Sequence, residues 1–127
     1  NLFLAAPTVS QHAALEAFSE ENISILETRC EAFRQRRDFL LPALRELGFE
    51  IPVTPHGAFY LYAGCSRFTA DSFRFSSDLL EQAGVAITPG IDFGTNRPAQ
   101  HVRFAYTTSQ ENLEAGVSRL AEYLRGL

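Results

Sequence analysis

Arg103 is the residue whose type and position in this sequence are best suited to chemistry. It stands in the run 102–107, whose alternation predicts a β-strand with Arg103, Ala105 and Thr107 on one face. A guanidinium offers two parallel N–H donors that match the two oxygens of a carboxylate. The residues alone leave two interpretations open: a solvent-facing arginine on the open face of a sheet, or a group that binds a carboxylate.

Two glycine-containing segments precede this strand. In the segment 88–94, Thr-Pro-Gly-Ile-Asp-Phe-Gly, the residues of interest are Pro89, Gly90, Phe93 and Gly94. By themselves they indicate a turn between strands. Gly57 belongs to the segment 55–60, Pro-His-Gly-Ala-Phe-Tyr, and leads into a strand. A glycine in that position either turns the chain tightly or lets a ligand approach the backbone closely.

The elements that must position these residues predict an α+β fold. Apolar residues at three- and four-residue steps predict a long helix over about 24–47 and a final helix after residue 108. Aromatic and β-branched runs predict strands at about 49–53, 58–64, 85–88 and 102–107. We therefore expect a small, mostly antiparallel sheet with helices packed on one face.

Several helix ends are also predicted by sequence. Thr108 and Glu111 match the capping box, in which the two side chains bind free amides of the first turn. A further helix is predicted to contain Phe75, Leu79, Leu80 and Ala83, with Asp71 or Ser72 placed to cap it and Gly84 placed to end it.

The bulk properties exclude several classes of function. A length of 127 residues favours one compact domain, and a net charge of −4 argues against a nucleic-acid surface. No apolar run approaches the roughly 20 residues that span a bilayer, and we expect no secretory signal. Cys30 and Cys65 suggest buried free thiols in a reducing compartment. The spacing of His12, His56 and His101 predicts no metal site.

Together, the segments 84–94 (GVAITPGIDFG) and 101–113 (HVRFAYTTSQENL) resemble the C-terminal part of fold-type I, pyridoxal-phosphate-dependent aminotransferases of class I/II, in the aspartate aminotransferase superfamily. The resemblance covers nearly the whole chain. It assigns residues 1–22 to the end of the large cofactor domain and a joint, and residues 23–127 to the C-terminal small domain.

The resemblance also implies what this chain lacks. In the family, a lysine earlier in the chain binds the cofactor covalently, whereas all 11 basic residues here are arginines. We therefore expect a fragment with no catalytic residue of its own, inactive and without bound pyridoxal phosphate. The longer parent would use pyridoxal phosphate to transfer an amino group between an amino acid and a 2-oxo acid, as a cytoplasmic homodimer.

The resemblance gives roles to the residues described above. Arg103 matches the arginine that binds the substrate α-carboxylate, and Gly57 is implied as a second substrate-binding position. The loop implied to shape the substrate pocket contains Pro89, Gly90, Phe93 and Gly94. Tyr60 and Tyr62 could reach the site or simply pack, and packing is the expectation.

A second hypothesis comes from another class of protein. The absence of lysine and the self-sufficient order of helices and strands also suit a stand-alone α+β module that binds a ligand or oligomerises without catalysis. Tight binding of an amino acid by this chain alone would favour that hypothesis over the enzymatic one.

Overall fold

The computed structural model describes residues 5–127. Residues 1–4, which belong to the predicted 1–22 segment, lie outside this range. The α-helices are α1 (Thr8–Glu16), α2 (Glu20–Leu47), α3 (Ser72–Ala83) and α4 (Gln110–Arg125). The strands are β1 (Tyr60–Gly64), β2 (Thr88–Pro89) and β3 (His101–Ala105), and short 3₁₀ helices span Gly90–Phe93 and Pro98–Gln100. Between residues 5 and 127, every helix is too short or too polar to span a bilayer.

The chain divides into two compact units, Asn1–Arg34 and Gln35–Leu127. In the described part of the first unit, α1 buries none of its residues. Leu15 and Phe18 are 71% and 78% exposed there, so this unit has little core of its own. The predicted division into a 1–22 segment and a 23–127 domain refers to a longer parent protein and stays a prediction.

The sheet of the second unit is antiparallel, with strand order β1-β3-β2. Arg103, at the centre of β3, faces Tyr62 on β1 and Thr88 on β2. β2 is an edge strand, which explains why Pro89, a residue with no amide hydrogen, is tolerated in it. This arrangement confirms the predicted α+β fold class.

The alternation predicted for β3 determines what is buried. Val102, Phe104 and the following Tyr106 are 0%, 6% and 1% exposed, whereas Ala105 is exposed and Arg103 is half-buried. The inward face lies under apolar residues of the helices: Leu40, Leu41 and Leu44 of α2, Phe75 and Leu79 of α3, and Leu113 and Leu120 of α4. One face of the sheet therefore packs in the core, and the other face is open and accessible to a ligand.

The strand predicted at 49–53 does not form. Only Glu50 pairs, in a single bridge with Gly64. The Ile51 carbonyl, which a strand would need, instead accepts hydrogen bonds from Nε and Nη2 of Arg45 at 2.9 and 2.6 Å. The Arg45 side chain of α2 thus satisfies the carbonyl group that a neighbouring strand would otherwise bind.

The ends of the helices agree with prediction in one case and differ in another. Asp71 caps α3 by accepting from two backbone amides, and Gly84 ends the helix with φ +63°. The capping box predicted for α4 is wrong, because Ser109 rather than Thr108 accepts the hydrogen bond from the Asn112 amide.

Candidate functional site

A cleft of about 500 Å³ lies on the open face of the sheet. It is lined by residues of β1, of β3, of the first 3₁₀ turn and of the loop after that turn: Tyr60, Tyr62, His101, Arg103, Phe93, Gly94, Thr95 and Asn96. A separate cavity of about 400 Å³ adjoins α4, and none of the predicted site residues lines it. The open-face cleft is therefore the place where the sequence candidates and a concave surface coincide.

Arg103 lies in this cleft with its guanidinium between aromatic rings. The guanidinium carbon is 4.7 Å from the centre of the Phe93 ring and 5.6 Å from that of Tyr60. Nη2 donates a hydrogen bond to Oγ1 of Thr88 at 3.2 Å. These contacts hold the planar group in place through cation–π attraction and one hydrogen bond.

Only part of the hydrogen-bonding capacity of Arg103 is used within the described chain. Nε is buried without a hydrogen-bond partner, and no Asp or Glu side chain between residues 5 and 127 forms an ion pair with the guanidinium. A buried donor without a partner costs about 1–3 kcal/mol. The geometry therefore leaves a fixed cation whose charge an anionic ligand in the cleft would offset.

The loop after β2 lies so close to the backbone of Pro98 and His101 that its first residue, Gly90, must be glycine. A Cβ atom on Gly90 would lie 2.4 Å from the Pro98 carbonyl oxygen, 2.7 Å from that of His101 and 3.0 Å from Oη of Tyr62. Gly94, with φ +146°, has a backbone conformation that favours glycine. Both glycines thus shape the loop, although only Gly94 lines the cleft.

Three of the predicted site residues lie together in the structure. Phe93, Gly94 and Arg103 meet in the cleft. Gly90 is buried beneath the loop, and Pro89 pairs with Val102 in the sheet. The proline and the first glycine therefore position the loop without lining the cleft.

Gly57 does not line the cleft that contains Arg103. It is exposed, and a Cβ atom there would meet nothing within 4 Å. The residue with a positive φ in this segment is the next one, Ala58, at +64°. Its carbonyl oxygen accepts a hydrogen bond from Oη of Tyr106 at 3.2 Å. The sequence predicted a close approach at Gly57 because a glycine, which has no side chain, leaves room for a ligand beside the backbone.

Three further ring residues line the cleft, and none of them was given a site role from the sequence. Tyr60 and Tyr62 were expected to pack, but they line the cleft and are 37% and 38% exposed. The His101 ring stacks on Tyr62, with centres 5.1 Å apart and planes 2° from parallel, and Nδ1 lies 3.0 Å from the Arg97 carbonyl oxygen. Strand alternation could have found His101, since it lies two residues before Arg103 and on the same face.

The profile of a known family, Aminotransferase class I and II, matches residues 1–120. The chain belongs to this family. It is 43% identical over 119 residues to the aspartate/prephenate aminotransferase of Thermus thermophilus, covering 92% of this chain and 30% of that protein. It is 37% identical over 124 residues to the valine–pyruvate aminotransferase of Mycobacterium tuberculosis, covering 98% of this chain and 32% of that protein.

Solved structures of aminotransferases share this fold. A crystal structure of an aminotransferase from Mycobacterium tuberculosis superposes with a TM-score of 0.91 at 37% identity, covering all of this chain and 33% of that one. The chain thus spans about a third of the length of the aminotransferases it matches. The fold and family identified from the sequence are confirmed.

Family membership implies pyridoxal phosphate in the whole aminotransferase. The residues present here do not fit this group as a covalent partner, because the chain contains no lysine. No three His, Cys, Asp or Glu side chains in the described range come close enough to hold a metal ion. What this aminotransferase chain offers in its cleft is a guanidinium in contact with two aromatic rings.

Proposed function

We propose that this chain is the carboxylate-binding part of a pyridoxal-phosphate-dependent aminotransferase, and that Arg103 binds the α-carboxylate of both the amino acid and the 2-oxo acid. The surroundings of Arg103 support this proposal. Arg103 faces the cleft, its Nε lacks a hydrogen-bond partner, and no carboxylate of the described chain neutralises it. Membership in the aminotransferases supplies the reaction class.

Binding by a guanidinium would orient the substrate as well as retain it. Two hydrogen bonds from one planar group fix the carboxylate plane, and with it the directions of the remaining bonds at Cα. Correct orientation at the reacting carbon lowers the activation barrier rather than only the dissociation constant. The proton transfers of the reaction belong to groups outside this chain, which has no lysine. A homodimeric and cytoplasmic parent stays a prediction of the sequence.

Arg103→Ala in the whole protein tests the proposal. If two charged hydrogen bonds each contribute at least about 1.5 kcal/mol, kcat/KM for the amino acid should fall by about a hundredfold or more. Arg103→Lys should restore only part of the loss, because an ammonium lacks the two-point geometry. The absorbance of the bound cofactor should not change in either variant.

The matched control is Arg74→Ala, which removes an arginine whose side chain is 81% exposed on α3. This variant should keep wild-type kcat/KM. Equal loss of cofactor absorbance and of activity in Arg103→Ala would contradict a role confined to the carboxylate. Tight binding of an amino acid by the 127-residue chain alone would favour a binding module without catalysis.

A further inference from the structure

The cleft around Arg103 is bordered by aromatic rings in contact with one another. Tyr62 stacks on His101, and the Phe93 ring meets Tyr62 edge-on, with centres 6.0 Å apart and planes at 83°. Tyr60 contacts the guanidinium from another side. Rings from β1, from β3 and from the first 3₁₀ turn thus border the cleft.

These rings keep much of their surface available to a ligand. Tyr60, Tyr62 and Phe93 are 37%, 38% and 46% exposed, although each already contacts a neighbour. Rings that only completed the core would be as buried as Phe104, at 6%. The open-face rings therefore present surface to the cleft, where a further ring could stack or meet them edge-on at favourable geometry.

In the part of the chain that the structure describes, the lining of the cleft contains one guanidinium, that of Arg103, and no second one. Thr95 and Asn96 are a hydroxyl and an amide residue, and Nδ1 of His101 lies 3.0 Å from the Arg97 carbonyl oxygen. A dicarboxylate bound here would have its first carboxylate on Arg103 and no second guanidinium to receive the other. Within the described chain, the cleft therefore matches an acid with a single charged group and a flat apolar side chain.

We propose that this cleft selects acids whose side chain carries an aromatic ring, with Tyr62 and Phe93 as the residues that determine this specificity. The inference rests on the proposed carboxylate role of Arg103, since that contact would place the remainder of the ligand against the rings. Aromatic pairs gain about 0.5–1.5 kcal/mol beyond the burial of their area, which corresponds to roughly two- to twelvefold in affinity.

Two unreactive acids of similar size test this inference in the whole protein. The dissociation constants of 3-phenylpropanoate and 3-cyclohexylpropanoate are measured by calorimetry, with the cofactor bound. Both acids present one carboxylate and a six-membered ring, and only the first ring is aromatic. The phenyl acid should bind about three- to tenfold more tightly, and Tyr62→Leu should reduce that ratio to within about twofold.

The matched control is Phe73→Leu, which removes an aromatic ring that is 63% exposed on α3 and outside the cleft. It should keep the wild-type ratio. Phe93→Leu provides a second test if Tyr62→Leu lowers the melting temperature, and it should reduce the ratio in the same way.

The outcomes separate the two proposals. If both acids bind equally and Arg103→Ala weakens both, the aromatic preference is overturned while the carboxylate role stands. If the preference survives in Tyr62→Leu and Phe93→Leu, residues other than these rings determine it, and the inference is again overturned. If Arg103→Ala leaves both dissociation constants unchanged, the proposed function fails and the inference fails with it.

Discussion

Thr88 and Arg103 face each other across β2 and β3, and Oγ1 of Thr88 accepts a hydrogen bond from Nη2 of Arg103 at 3.2 Å. The edge strand β2 contains only Thr88 and Pro89. Its pairing with β3 therefore brings a hydroxyl directly to the guanidinium. We interpret Thr88 as a positioning residue that acts on substrate through Arg103.

Thr88→Val should weaken substrate use without unfolding the protein. Valine keeps the β-branched shape but removes the acceptor, so Arg103 loses the hydrogen bond that orients its Nη2. A hydrogen bond to a charged group contributes about 1.5–3 kcal/mol, and we expect kcat/KM in the whole protein to fall by at least about tenfold.

Thr88→Ser is the conservative control for this change. It retains the hydroxyl and should restore most of kcat/KM, whereas a purely structural role for the side chain would not distinguish serine from valine in this way. Equal activity of the valine and serine variants, at equal melting temperatures, would contradict the positioning role.

Gly90→Ala should destabilise the fold. The added methyl group would lie 2.4 and 2.7 Å from two backbone carbonyl oxygens, those of Pro98 and His101. Backbone atoms cannot rotate away as a flexible side chain can, so the loop or the start of β3 must shift. Overpacking of this kind costs about 1–3 kcal/mol, which urea unfolding with linear extrapolation would measure.

Gly57→Ala is the matched control for Gly90→Ala. A methyl group there meets no atom within 4 Å, and the backbone at Gly57 does not require a positive φ. Its free energy of unfolding should stay within about 0.5 kcal/mol of the wild-type value. A loss at Gly57 as large as that at Gly90 would show that the crowding argument is wrong.

The local periodicity of β3 explains why the central part of the site could be predicted from sequence. The side-chain period of a strand is two, so the residues buried around Arg103 fix the face on which it lies. The placement of Phe93 and Gly94 followed from a family pattern. The exposure of Tyr60 and Tyr62 did not follow, because aromatic residues in a strand suit a buried face as well as an open cleft.

The errors occur where a side-chain hydrogen bond decides whether a strand pairs or which residue caps a helix. At 49–53, Arg45 of α2 takes the Ile51 carbonyl, a tertiary contact that no local pattern contains. At the start of α4, Thr108 and Ser109 are adjacent hydroxyl residues, and either could cap a helix. Thr108 instead accepts from the Asn112 side-chain amide at 2.9 Å, which leaves the cap to Ser109.

The two cysteines should differ sharply in reactivity. Cys65 is fully buried, and burial raises the pKa of its thiol to about 11. Cys30 is exposed, contrary to the expectation that both thiols are buried. Since the thiolate is the nucleophile, a disulfide reagent at pH 8 should modify Cys30 in the folded chain and Cys65 only after unfolding. Rapid modification of folded Cys30→Ser would contradict the burial of Cys65.

Glu111 in the first turn of α4 should make stability depend on pH in the acid range. A hydrogen bond from its own backbone amide, and then one from the Ser109 hydroxyl, lower the pKa of this carboxyl below its usual value of 4.5. The folded chain therefore binds this proton less readily than the unfolded chain does. The resulting stabilisation is present above pH 4.5 and is lost as the pH falls through the folded-state pKa.

Glu111→Gln retains an oxygen acceptor but removes the negative charge at the helix N-terminus. Its melting temperature should be lower than that of the wild type at pH 7, and the difference should shrink as the pH is reduced below 4.5. Calorimetric melting at several pH values measures this convergence. A difference that stays constant or widens in acid would mean that the carboxylate of Glu111 does not contribute to stability through its charge, because only an ionised group loses its contribution on protonation.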